Sequence, residues 1–274
     1  MNNPKQKVRE FYDEIGWQQE ADGNYQNARY EDLRPVSAEY IHKTRLRVNQ
    51  GLVPTGRFLL DAGSGPVQYE EYLTYSQGYQ KRVCLDISIQ ALREARQRLG
   101  AHGLFVVGDL ANLPFKPDAF DGVVSMHAIH HLPIEEHPRA YGELHRVLSP
   151  GRTAVIVNGW FSPLLTALAE PIIAILRRIT GRGPKKKKKW LTAQTPEGTF
   201  VEKPTPAWLK REVGSKILIE LRPWRSLSTE VLRWFIHPKL GGHLLLKLIF
   251  WLEGVFPRFF AENGQYPMII IRKK

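Results

Sequence analysis

Short apolar runs punctuate the chain between residues 57 and 158. They lie at 57–62, 82–86, 104–107, 121–126 and 153–157. Such runs read as strands covered on both faces, in the middle of a sheet. Helical spacing fills the gaps. Ser88 predicts an N-cap, Ile89, Leu92, Ala95 and Leu99 share one face, and Gly100 marks the stop. Repeated βα units of this kind predict an α/β fold with a doubly wound parallel sheet. Two further strands are predicted at 216–221 and 268–272, the first preceded by a short helix at 206–213. Near the start, Val8, Phe11, Tyr12 and Ile15 recur at helical spacing. Ser37 is expected to cap a second helix through Tyr40, Ile41, Thr44 and Val48, ending near Gly51. The expected organisation is a helical N-terminal lid at 1–56 and a main domain at 57–274. Insertions interrupt the main domain at about 159–204 and about 223–264.

At 274 residues the chain can bury a real core, and 43% hydrophobic with 24% charged residues excludes a disordered chain. A single cysteine, Cys84, excludes an internal disulfide and a cysteine-based zinc cluster; no metal is expected. It fits a reducing compartment, and the polar start shows no secretory signal, so a cytoplasmic location is expected. No run reaches the length needed to span a bilayer.

Charge changes the picture. Residues 1–150 hold 17 Lys+Arg against 19 Asp+Glu, while 151–274 hold 22 against 8, so a balance of −2 meets one of +14 in the chain's total of +12. The second stretch has no aspartate and six of the seven tryptophans. Such asymmetry points to a partner of negative charge, a nucleic acid or a membrane surface.

The informative chemistry begins at Leu59-Leu60-Asp61-Ala62-Gly63-Ser64-Gly65-Pro66. A strand ends in an acid and two glycines, and a helix is expected to follow. Glycines permit a tight turn and let a ligand lie on the backbone. By itself this could serve a nicotinamide, a flavin or a mere turn. Two spaced acids sharpen it. Asp86 closes the second strand 25 residues after Asp61, where a carboxylate can accept from both hydroxyls of a ribose. Its bland role, capping the next helix, is already filled by Ser88. Asp109, in Val107-Gly108-Asp109-Leu110, follows the third strand and is either a solvated turn residue or placed at the edge of an adenine. Asp61 would repel a pyrophosphate and suit a cationic ligand, which disfavours a dinucleotide.

This ordered set resembles class I S-adenosylmethionine-dependent methyltransferases, specifically the type 11 group that includes ubiquinone and menaquinone C-methyltransferases. Leu85-Asp86-Ile87-Ser88 resembles the family's second motif, and Gly108-Asp109-Leu110-Ala111 its adenine-flanking segment. The stretch from Phe120 to Leu132, with His127, His130 and His131, resembles its fourth. The resemblance covers about 57–158 and the last two strands. It implies a Rossmann-like sheet of seven strands with the last antiparallel, and S-adenosylmethionine as cofactor. It implies cofactor contacts from Asp61, Ala62, Gly63, Gly65, Asp86, Ile87, Asp109 and Leu110, with Tyr12 closing over the site. Val67 departs from the pattern, standing where the family often has a third glycine; a slightly wider helix packing is expected there.

Methyl transfer needs a base only if the acceptor must lose a proton. His127, His130 and His131 are the candidates, since an imidazole near its ordinary pKa suits that task. The alternative is that they merely shape the loop. The insertions bear on the acceptor. Residues 164–179 are apolar apart from Thr166, Glu170, Arg177 and Arg178, and 244–252 apart from Lys247. Both are too short to cross a bilayer but could lie in its interface, or cap the site. The expected activity is methylation of a small hydrophobic or membrane-associated acceptor such as a quinone, isoprenoid or lipid-linked molecule, at an anionic membrane surface. The alternative is a soluble small-molecule or sugar O-methyltransferase. A nucleic-acid enzyme is disfavoured, because the run of five lysines at 185–189 has no zinc knuckle or RNA-reading motif beside it. A non-catalytic cofactor-binding protein would require a closed acceptor pocket.

Overall fold

The computed structural model describes residues 4–17, 31–181 and 199–274. The lysine run at 185–189 lies outside the described residues. The helices α1 (Pro4–Phe11), α2 (Pro35–Leu46) and α3 (Val48–Gly51) precede β1 (Gly56–Ala62). Then come α4 (Glu70–Leu73), β2 (Tyr79–Asp86), α5 (Ile89–Leu99), β3 (Gly103–Val107) and β4 (Phe120–Met126). They are followed by α6 (His137–Val147), β5 (Leu148–Val157), α7 (Leu164–Ile179), α8 (Pro206–Glu212) and β6 (Ile219–Arg225). The chain closes with α9 (Thr229–Phe235), α10 (Gly242–Val255), α11 (Pro257–Asn263) and β7 (Tyr266–Arg272).

The seven strands form one sheet in the order β3-β2-β1-β4-β5-β7-β6. The pairs among β1 to β5 are parallel, and β7 is antiparallel to both β5 and β6. Side chains alternate across it. Leu59, Val124, Val155 and Ile270 pack on one face with Val48 and Leu52. Leu60, Val123, Ala154, Ile156 and Ile269 face the other, against Ala140, Tyr141 and Leu144 of α6 and Leu209 of α8. Burial on both faces is why these strands lack an alternating pattern.

Ser88 caps α5 as expected, its Oγ accepting from Ala91 N at 3.1 Å, and Gly100 ends it with φ +51°. Ser37 does not cap α2. The helix starts two residues earlier at Pro35, whose missing N–H costs nothing at a first turn. Ser37 is buried instead and donates to Asp32 Oδ2 at 2.6 Å. The helix expected after the glycine loop is a single turn, α4, followed by a 3-10 turn at Thr74–Ser76. Val67 therefore sits in the loop, not on a helix. It is fully buried with φ +54°, a left-handed conformation that strains a β-branched residue. The strand expected at 216–221 is shifted to Ile219–Arg225, because Lys216 and Ile217 close the turn after α8, donating to Val213 O. It runs on through Pro223 because β6 is an edge strand, where a missing N–H is tolerated. The second insertion accordingly begins after Arg225, not at 223.

One buried ion pair crosses the middle of the sheet face. Arg82 and Asp61 are 1% and 2% exposed, and the guanidinium reaches the carboxylate through Nε at 3.1 Å and Nη2 at 2.5 Å. Arg82 also donates to Tyr72 O. Removing one partner strands the other charge in the interior. Arg82→Met is expected to lower unfolding free energy by about 3–5 kcal/mol in urea titrations, with much of the loss recovered when Asp61→Leu is added. A loss under about 1 kcal/mol for Arg82→Met contradicts this placement.

Candidate active site

The carboxyl ends of β1, β2 and β4 and the loop after β3 surround a cavity of about 510 Å³. This is where open α/β sheets bind ligands, on either side of the point where strand order reverses. Of the residues singled out from sequence, Tyr12, Gly63, Gly65, Asp86, Ile87, Asp109, Leu110, His127, His130 and His131 line it. Asp61 and Ala62 do not.

The glycine loop is tied to the next strand over. Gly63 N and Ser64 N donate to Leu85 O at 2.7 and 3.1 Å. Gly63 has φ +72°, and a Cβ there would lie 2.3 Å from the Cβ of Ala128, so only glycine lets the loops after β1 and β4 meet. Gly65, at φ +53°, donates to Asp86 Oδ2 at 2.8 Å. Ser88 N donates to Asp86 Oδ1 at 2.9 Å. Burial pushes the Asp86 carboxyl up to about 6, against those backbone donors and with a smaller push from Asp61. Among the described residues no cation pairs with Asp86.

Asp61 was expected to meet a cationic ligand. Its charge is instead neutralised by Arg82 within the sheet face, away from the cavity. Ala62 is fully buried in the core of the opposite face. Asp109 does face the cavity, with Oδ2 accepting from Lys5 at 2.6 Å and Oδ1 from Ala111 N at 2.9 Å.

Residues 4–17 cover the cavity through ties to three loops. Lys5 bridges Asp109 after β3 and Glu136 beyond β4. Asp13 accepts from Ser88 Oγ at 2.5 Å, beside β2. Tyr12 Oη lies 2.9 Å from His131 Nε2, after β4. Trp17 stacks on Tyr12 with centroids 5.0 Å apart and lies over Gly65. By contrast α2 packs on α10, and Val48 of α3 on the sheet, so the expected lid at 1–56 covers the cavity only in part.

The three histidines differ in kind. His131 Nδ1 lies 2.8 Å from Phe200 O, which fixes that nitrogen as the N–H donor and leaves Nε2 to accept from Tyr12. Both nitrogens are engaged, so His131 latches two walls and has no lone pair for a substrate. His130 Nδ1 faces Asn158 Oδ1 at 3.1 Å and so leaves Nε2 available. His127 has φ +55°, its N–H donating to Val157 O at 2.7 Å, and its ring packs against Trp224 and Tyr266. Left-handed backbone at a cavity wall is characteristic of sites rather than frames. Burial brings His127 down to about 3 and His131 to about 4, and holds His130 well below the usual imidazole range. The sequence expectation of an imidazole near its ordinary pKa does not survive; all three are neutral at pH 7.

Sequence reasoning missed the wall facing these rings. Arg225 is fully buried, 2.7 Å from Glu31 Oε2, and its guanidinium lies 4.9 Å from the centroid of Tyr266. Lys203 enters the cavity from the segment before α8. Arg225 lies four residues past the strand predicted at 216–221, in a strand that also carries Glu220 and Arg222, so nothing local marked it; Lys203 was hidden in a basic insertion. Among the described residues no cluster of His, Cys, Asp and Glu could hold a metal.

Residues 60–156 match the family model described as a methyltransferase domain. A phthiotriol/phenolphthiotriol dimycocerosates methyltransferase of Mycobacterium leprae is 33% identical over 111 residues, 40% of this chain and 39% of that protein. A malonyl-[acyl-carrier protein] O-methyltransferase of Pectobacterium atrosepticum is 32% identical over 116 residues, 41% of this chain and 44% of that protein. The matched region thus spans less than half the length of either. Among solved structures, a geranyl diphosphate C-methyltransferase from Streptomyces coelicolor superposes with a TM-score of 0.57 at 12% identity, covering 100% of this chain and 98% of that one. That structure holds S-adenosyl-L-homocysteine, and at such low identity the likeness is one of fold. Residues 60–156, about a third of the chain, thus carry the likeness to a methyltransferase domain of the type 11 family.

Proposed function

We propose that the protein transfers a methyl group from S-adenosylmethionine to a small hydrophobic acceptor. The observation that carries this is Asp86, a buried carboxylate held by two backbone N–H groups at a cavity wall with no cation opposite. Such a group fits the two hydroxyls of a ribose, which donate without adding charge. Gly65 beside it offers bare backbone, and Ile87 and Leu110 supply apolar flanks for an adenine. When bound, the cofactor supplies an electrophilic methyl on a sulfonium. The chain's part is to bind, orient and exclude water, and orientation alone can supply ~7–11 kcal/mol. Tyr12 and Trp17 close the roof. His127 and His130, both neutral, flank the acceptor side, and His130 Nε2 is placed to accept a hydrogen bond from an acceptor hydroxyl.

The hydrophobic acceptor is inferred from the insertions. On α7, Leu164, Leu168, Ile172, Ile175 and Ile179 form one exposed stripe; on α10, Leu244, Leu248, Trp251 and Val255 form another. Ile179 is 75% and Trp251 59% exposed, unusual for residues of that size. Basic side chains share these elements: Arg177 and Arg178 on α7, Lys247 on α10 and Arg258 on α11. No helix among the described residues is long and apolar enough to cross a membrane. Apolar stripes with basic neighbours suit the interface of an anionic membrane, where a greasy acceptor would be presented.

Three outcomes are expected. Ribose binding needs Asp86 ionised, and its free-state pKa is raised to about 6, so affinity is full above that value and lost as pH falls through it. Calorimetry should find S-adenosylhomocysteine about tenfold weaker at pH 5 than at pH 7, and Asp86→Asn should flatten that dependence. Equal wild-type affinity at both pH values contradicts the role of Asp86. Methyl label from radioactive cofactor should appear in a crude lipid extract rather than a polar extract; label only in the polar fraction refutes the hydrophobic acceptor. Vesicles containing anionic lipid should pellet the protein at low salt and release it at high salt. Absence of pelleting removes the membrane from the proposal.

A further inference from the structure

Lys203 is out of balance with its surroundings. It is half-buried and lines the cavity, and among the described residues no carboxylate lies within ion-pair distance of it. The other lysine on the lining, Lys5, is bridged to Asp109 and Glu136. Glu31, the remaining carboxylate on the acceptor side, is engaged by Arg225 and Arg45. The groups facing Lys203 are His127, His130 and His131, which its charge helps to keep neutral. Burial pulls the ammonium below its ordinary value, and nothing opposes that pull.

Its position is nevertheless built. Phe200 O accepts from His131 Nδ1 at 2.8 Å, and Glu202 N donates to His130 O at 2.8 Å. Glu202 Oε2 accepts from Ile134 N at 2.6 Å, and Phe161 N donates to Pro204 O at 3.0 Å. Residues on both sides of Lys203 are thus pinned to the loops after β4 and β5. The side chain lies along Gly159, where a Cβ would come within 3.2 Å of both Cε and Nζ. Gly159 follows β5, so Lys203 stands two strands away from β1 and its glycine loop, over the half of the sheet that the cofactor cradle does not use. A half-buried ammonium fixed in a cavity and facing only neutral rings is completed by an anion.

We propose that Lys203 is an anion-binding subsite, holding a carboxylate or phosphate head of the acceptor beside Gly159. This deepens the methyltransferase reading and rests on it only for calling the ligand an acceptor. The acceptor would then be amphiphilic, with an apolar body and one anionic group.

The test compares octyl phosphate with octanol, titrated into protein saturated with S-adenosylhomocysteine. Octyl phosphate should bind at least about tenfold tighter to the wild type. Lys203→Met should shrink that preference to under about twofold, and Lys203→Arg should keep it. S-adenosylhomocysteine affinity should be the same in all three. Octyl phosphate binding no tighter than octanol overturns the proposal, as does a preference that survives Lys203→Met. Loss of S-adenosylhomocysteine binding in Lys203→Met also overturns it, since the lysine would then serve the cofactor. If the wild type does not bind S-adenosylhomocysteine, the methyl-donor reading fails, and the same comparison without it still decides the role of Lys203.

Discussion

A charge removed from water must find a partner, and where each buried charge finds one divides this protein into frame and site. Asp61 is answered by Arg82 across the strands. Glu253, fully buried on α10, takes Arg47, Tyr40 and Ser226 at 2.5 to 2.9 Å and so joins α2, α10 and the end of β6. Asp32 holds Arg34 and Ser37, and Glu31 holds Arg225. These pairs are closed and fasten the elements that surround the sheet. Among the described residues, two groups on the cavity are left without an ion-pair partner: Asp86, held by backbone N–H groups alone, and Lys203, positioned by its segment. One open anion and one open cation give the cavity two chemically distinct ends.

The covering segment reinforces this division. Lys5, Tyr12 and Asp13 each reach a different loop, so residues 4–17 are positioned by the same loops that carry the cofactor cradle and the histidines. The ties are mostly polar and part-buried, each worth little alone. A cover held by several weak ties can release without unfolding the sheet.

Much of the fold was legible because β1, β2, β4 and β5 are largely buried on both faces, and such runs stand out in a mixed sequence; the run at 104–107 was expected there too, but β3 lies at the sheet edge with Leu104 and Val107 exposed. Ser88, Gly100 and the helix at Leu164–Ile179 were equally plain, since capping and periodicity are local. Two readings failed, and one residue was missed, for non-local reasons. Asp61 looked like a ligand because nothing in its own strand reveals Arg82; the clue was an arginine at the head of the run 82–86, on the same face through the register Asp61↔Cys84. The histidines looked like ordinary bases because burial is invisible until the loops after β4 and β5 close on them. Lys203 was lost among the basic residues of an insertion, and only the packing shows that its charge points inward. Asp86, Asp109 and the two glycines line one cavity because their spacing follows the βα repeat that places them together.

With Asp61 closed off by Arg82, what disfavours a pyrophosphate in this cavity is the glycine loop, which leads only into the single turn α4 bearing Glu70 and Glu71 and offers no full helix N-terminus, whereas an adenosyl ligand needs none. The most direct measurement is a calorimetric titration of the wild-type protein with S-adenosylhomocysteine and, separately, with NADH at neutral pH. Saturable binding of the first at one molecule per chain, and no detectable binding of the second, is the expected result. Binding of NADH, or no heat from S-adenosylhomocysteine, contradicts it.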